Sequence, residues 1–293
     1  MGYKLLTGIE LIDISDDFAK QILQSEKKLS KFLRIFAYKY IIQKNLEDLI
    51  SFLRPYQENY NGLEFDSAEC NRLLYNVLNT VYAFEQSFNK SYGNEIKQIK
   101  QYLHQHYFEY SILSALRDYM EHSDLGVSNV MLTLGKYGAR AKAYINLKKI
   151  ADDISRKDKF DGFKQKVEKL IADKEDVEIE LLPLFEHFKD IFYIMQSKVW
   201  KMLSSTIIES FKCLGLMIKS SKMKTRDVFL YNDGRYISAP SNVYHTFYVM
   251  ISKCFILPEH VMEKSDDEIR EFYKTLSFDY YGEKDKYYPQ KFS

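Results

Sequence analysis

Between Asp66 and Gly126 a single glycine, Gly93, and no proline interrupt a chain whose apolar residues return every three or four positions. Few structures are open to such a stretch. The spacing fits one face of a 3.6-residue helix and not the alternation of a half-buried strand. Asp66 with Glu69 forms a D-x-x-E variant of the capping box at its start. Cys70, Leu73, Leu74, Val77, Leu78, Val81, Phe84 and Phe88 then make one apolar stripe, and Gly93 is a natural stop. Ile99, Leu103, Tyr107, Tyr110, Leu113, Leu116 and Met120 make a second stripe, with Gly126 just past its end. Two long amphipathic helices joined by a short connection are expected to pair antiparallel.

The rest of the sequence is equally poor in helix breakers, with 11 Gly and 5 Pro in 293 residues. Ser15-Asp16-Asp17 can cap a helix that Pro55 is expected to stop. Gly135 and Gly138 interrupt residues 127–150, where a short strand pair can form. Helical spacing returns from Lys157 to Ala172 and from Glu180 to Lys219, with Pro183 suited to a first turn. In "RDVFLYNDGRYISAP", apolar and aromatic residues flank Asn232-Asp233-Gly234, residues that tolerate positive φ in a hairpin turn. Two shorter helices, the last capped by Ser265 with Glu268, and a Tyr-rich tail from Ser277 close the chain. The expected fold is mainly α, an antiparallel helical bundle with additional helices and a small β-hairpin near 226–238. The expected division is an N-terminal helical region over 1–60, a helical core over 61–150, and C-terminal helices with the hairpin over 151–293.

Composition narrows the function classes. Hydrophobic residues make up 46% of the chain, with 24 Tyr and 20 Phe, enough for a packed core. The net charge is +1, so a nucleic-acid partner would have to be met by local patches and not by a global basic field. Cys70, Cys213 and Cys254 are isolated, which suggests neither a disulfide framework nor a zinc site and fits a reducing cytoplasm. Met1-Gly2 begins like a myristoylation signal, but Leu6 stands where Ser or Thr is needed. The apolar runs are too short to span a bilayer. A cytoplasmic protein without membrane contact, metal or cofactor is expected.

One stretch carries candidate chemistry. "SALRDYMEHSD" sets Arg117, Asp118 and His122 within one and a half helical turns, and it is the only place where Arg is followed four to six residues later by His. A bland reading is available. Arg117 and Glu121 are four apart and can form an exposed ion pair of about 0.3 kcal/mol, and His122 near a helix C-terminus interacts favourably with the dipole.

"FEYSILSALRDYMEHSDLG" resembles the signature of HEPN domains, and "CNRLLYNVLNTVYAFEQSF" is similar to the first helix of stand-alone bacterial HEPN proteins. The resemblance covers about residues 66–126. It implies a metal-independent endoribonuclease, a toxin or antiviral-defence effector, working as a homodimer in which two motifs face each other across a two-fold axis. The RNA 2′-hydroxyl would be the nucleophile, Arg117 would grip phosphate, and two copies of His122 would divide base and acid work. Asp118, one turn before His122, could fix the imidazole tautomer or be an ordinary acidic residue. An antitoxin or other regulatory partner would fit. The alternatives are a non-catalytic HEPN module that binds nucleotides, RNA or protein, and an unrelated helical protein with a chance match.

Other residues are weighed as RNA contacts. Asn71 could reach the motif or RNA, or lie on a solvent face. Lys222, Lys224 and Arg226, with Lys219, form one basic run without acidic residues; Lys136, Arg140, Lys142, Lys148 and Lys149 form another. Tyr110 and Tyr119 could stack on bases, although core packing is the more ordinary role. His104 and His106 lie two apart on a helix and point apart, a poor metal pair.

Overall fold

A computed structural model describes residues 2–7, 10–58, 65–135, 138–154, 161–171, 177–220 and 228–254. In chain order the elements are β1 (Tyr3–Thr7), β2 (Glu10–Asp13), α1 (Asp16–Glu58), α2 (Ser67–His106), α3 (Phe108–His122), β3 (Asn129–Gly135) and β4 (Gly138–Asn146). They continue with α4 (Leu147–Asp153), α5 (Asp161–Ile171), β5 (Glu178–Glu180), α6 (Leu181–Ser220), β6 (Val228–Asn232), β7 (Arg235–Ser238) and α7 (Pro240–Cys254). The fold is mainly helical, with two small antiparallel sheets. No helix among the described residues is long and apolar enough to cross a membrane.

The chain forms two compact units whose boundaries differ from the three regions expected from sequence. Residues Met1–Phe36 and Gln196–Ser293 make one; Ala37–Met195 make the other. The reason for the first grouping is strand pairing. The N-terminal region is not wholly helical: β1 pairs antiparallel with β2 on one side and with β6 on the other, Leu5 opposite Leu230, giving the sheet order β2-β1-β6-β7. Pairing between segments more than two hundred residues apart leaves no trace in local periodicity. The hairpin itself follows its sequence, with Asp233 at φ 49° and Gly234 at φ 75° between β6 and β7, the pair of positive values that a two-residue turn needs. Phe32 packs against Trp200 and Phe247 in the same unit, ring centroids 5.8 and 6.0 Å apart. Pro55 does not stop α1, which runs to Glu58. The lost N–H removes one hydrogen bond, and the helix ends within its next turn.

The second unit holds the candidate site. Asp66 caps α2 by accepting from the Glu69 N–H at 2.9 Å. The Glu69 side chain turns instead to Arg72, so only half of the capping box forms. At Tyr92, one residue before the expected stop, the backbone leaves helical geometry (φ −148°, ψ 53°) and the chain folds back. A second break at extended Tyr107 separates α2 from α3, so the second expected helix is two segments. Contacts then run antiparallel: Glu85 meets Lys100 and Tyr110, Tyr82 meets Arg117, and Asn71 meets Val127. Both stripes are buried apart from half-buried Val81 and Met120. Each large side chain so placed contributes about 1.5–3 kcal/mol. Asn129–Gly135 and Gly138–Asn146 form the strand pair β3–β4, to which β5 adds.

Candidate functional site

The antiparallel hairpin decides where each motif residue goes. Arg117 and Asp118 lie on the inner side of α3, facing the first part of α2; His122 is the last helical residue. Asp118 is buried, 3% exposed. The Arg117 side chain is 15% exposed and that of His122 is 56% exposed. Arg117 lays its guanidinium 3.7 Å over the ring of Tyr82. Its Nη2 lies 2.5 Å from Glu121 Oε2, so the i,i+4 ion pair forms, but on a largely buried arginine. The same oxygen stands 3.7 Å from His122 Nε2. One carboxylate oxygen therefore sits between the guanidinium and the imidazole of the motif. Arg117 Nε is buried and has no hydrogen-bond partner among the described residues.

Beside the motif is a cavity of about 220 Å3, lined by Arg117 and Asp118 together with Tyr82, Glu85, Lys100 and His104, and by the apolar groups of Leu78, Val81, Leu113 and Phe188. Glu85, 7% exposed, is the acidic group of its lining that carries two partners. Lys100 Nζ lies 2.5 Å from Glu85 Oε2, and the Tyr110 hydroxyl donates to Oε1. Burial and the neighbouring Glu85 carboxylate push the Tyr110 hydroxyl well above its ordinary value, so it is a donor throughout the physiological range. Burial pushes His104 down, and its Nδ1 shares a hydrogen bond of 3.0 Å with Ser111 Oγ. The cavity thus brings together an imidazole, an anchored carboxylate and an arginine.

Glu85, Lys100 and Tyr82 carry no motif and were not singled out from sequence. A signal existed. Folding the chain back at Gly93 sets Glu85 opposite the Lys100 region, and an acidic residue next to Phe84 in an apolar stripe needs a partner.

The remaining expected contacts resolve differently. Asn71 belongs neither to a solvent face nor to an exposed RNA-facing one. It is 5% exposed, its Nδ2 donates to the Ser67 carbonyl at 2.8 Å, and its Oδ1 accepts from the Val127 N–H at 3.0 Å. It tethers the segment after α3 to the start of α2. Tyr110 and Tyr119 are buried, as core packing requires. His104 faces the cavity while His106 stacks on Tyr102 at 4.0 Å, so the two point apart as expected. Among the described residues no group of three or more His, Cys, Asp or Glu could hold a metal ion. In the basic run near β4, Lys142 pairs with Glu180 at 2.7 Å and Lys149 with Asp124 at 2.6 Å, so both charges are met locally; Arg140 and Lys148 are exposed. Lys136, Lys222, Lys224 and Arg226 lie outside the described residues, as do Ser265 and the Tyr-rich tail.

Compared with protein-family models, with curated proteins and with solved structures, the chain matches none.

Proposed function

We propose that this protein is a metal-independent endoribonuclease of HEPN type, a toxin or antiviral-defence effector acting as a homodimer. The observation that carries the reading is the position of Glu121 Oε2, 2.5 Å from Arg117 Nη2 and 3.7 Å from His122 Nε2. A phosphoryl oxygen is the chemical counterpart of that carboxylate oxygen. Guanidinium and imidazole are spaced to share one oxyanion, which is what gripping a phosphate next to a proton-transfer group demands.

The reaction needs two proton transfers. One imidazole takes the proton of the 2′-hydroxyl as the oxygen attacks phosphorus. The 5′-oxygen leaves with a proton from an imidazolium, and a 2′,3′-cyclic phosphate remains. A single chain supplies one His122, and the partner's His122 supplies the second group in a two-fold assembly. Arg117 neutralises charge on the non-bridging oxygens. Asp118 is buried one turn away and lines the cavity, and the carboxylate seen beside His122 is that of Glu121.

His122→Ala tests this. RNA cleavage in the presence of EDTA is expected to disappear while folding and self-association persist. Unchanged cleavage in that variant would remove the assignment.

A second reading, a non-catalytic HEPN module that holds phosphate without breaking it, is favoured by the way Tyr82 and Glu121 pin Arg117. Fluorescent RNA that stays intact with the wild-type protein, yet binds and is released by salt, would select it.

A further inference from the structure

We infer that the cavity beside Arg117 receives a single nucleobase, guanine, from the nucleotide adjoining the gripped phosphate. The inference rests on the RNA reading above and extends it to base recognition.

Size sets the first limit. About 220 Å3 falls below the roughly 300–1,000 Å3 of sites for drug-sized ligands, so one ring system fits and a longer piece of strand does not. Shape sets the second. Tyr82, Tyr110 and Phe188 contribute aromatic rings, and Leu78, Val81 and Leu113 contribute apolar walls, which suits a flat heterocycle. Tyr82 is exposed enough, with the half-buried Ser114, to leave a mouth.

Polar chemistry then chooses the base. Glu85 is an anionic acceptor; each of its oxygens takes one donor, from Tyr110 and Lys100, and a carboxylate has about four lone-pair sites in all. Two acceptor positions therefore remain. Arg117 lines the same cavity and brings a guanidinium, a permanent donor, to it. Guanine presents two adjacent N–H donors beside a carbonyl oxygen, with a further acceptor at N7. A carboxylate meets the donors and an arginine meets O6 or N7. Adenine, cytosine and uracil lack the pair of adjacent donors. Arg117 would serve both sites, since its Nη2 meets Glu121 beside His122 while the residue also lines the cavity, which is why the base belongs to the nucleotide next to the phosphate.

The test is titration of the full-length protein with GMP, AMP, CMP and UMP, followed by NMR shifts or calorimetry. Saturable GMP binding is expected, at least tenfold tighter than for the other three. Ser114→Phe, which pushes a ring into the cavity, is expected to abolish it. If Ser114→Phe does not fold, Tyr82→Ala opens the mouth and is expected to weaken GMP severalfold. No GMP binding, equal binding of all four nucleotides, or binding indifferent to both cavity variants overturns the inference. Its failure is separable from that of the ribonuclease reading: RNA cleaved without regard to guanine refutes the base pocket alone, and GMP bound by a protein that never cleaves RNA refutes the enzyme alone.

Discussion

The guanidinium of Arg117 lies 3.7 Å above the ring of Tyr82, across the hairpin formed by α2 and α3. The contact fixes the cation in one place, and both residues line the cavity. With Tyr82 exposed, a cation–π contact contributes about 0.5–1 kcal/mol. Tyr82→Ala is therefore expected to lower stability by about 1 kcal/mol, and Tyr82→Phe, which keeps the ring, by well under half of that. Urea unfolding read at a constant m-value checks both. Equal losses in the two variants would assign the effect to the hydroxyl instead.

Glu121 gives the second prediction. Its carboxylate occupies the space between Arg117 and His122, so any phosphate must displace it. As an i,i+4 partner it contributes only about 0.2–0.5 kcal/mol to the helix. Glu121→Gln is thus expected to leave the melting temperature almost unchanged while tightening RNA binding severalfold, because one negative charge leaves the phosphate site. The measurement is RNA affinity at two salt concentrations, made in a His122→Ala background so that cleavage does not intervene. Weaker binding in the double variant would mean that Glu121 orients Arg117 for phosphate and does not compete with it.

How much of this was legible beforehand depended on the range of the interaction. The Asp66 cap, the break beside Gly93, the Asp233-Gly234 turn and the Arg117–Glu121 pair are local, and the residues within a few positions specify each. The pairing of β1 with β6 is not local. Neither strand's pattern names its partner, so the N-terminal region read as helix alone. Asn71 is an intermediate case: its polarity was visible, but whether an asparagine faces solvent or ties down a backbone N–H depends on where Val127 returns. The cavity was hidden for the same reason, since Glu85, Lys100 and Tyr110 become a cluster only when the hairpin closes.

Gly126 marks how tightly that closure is packed. A Cβ at this position would stand 2.6 Å from Leu74 Cδ2 and 2.7 Å from Met120 Sδ. Both obstacles are ends of flexible side chains, so the chain can respond only by repacking them. Overpacking costs about 1–3 kcal/mol, and because flexible ends can give way, Gly126→Ala is expected at the low end, about 1 kcal/mol by chemical denaturation. Combined with Met120→Ala, which clears one obstacle, it is expected to cost less than the sum of the two single changes. Strict additivity would show that the Met120 side chain is not what limits the space at Gly126.

His104 supplies a pH dependence whose sign follows from its burial. Desolvation holds its proton affinity below the ordinary value near 6.5. Glu85 opposes that shift, while Lys100 and Lys166 reinforce it. As pH falls through the ordinary histidine range, the unfolded chain takes up a proton that the folded chain refuses, so stability present above that range declines. The decline stops once the folded imidazole is also protonated. A single group of this kind gives a slope of at most about 1.4 kcal/mol per pH unit. His104→Gln keeps a polar group near Ser111 Oγ and removes the titration. Its stability is expected to change less than that of the wild type between pH 7 and 5, and the difference between the two curves isolates His104 from the other histidines. Two parallel curves would mean that the imidazole is solvated in solution, and with it the cavity that Arg117 and Glu85 share.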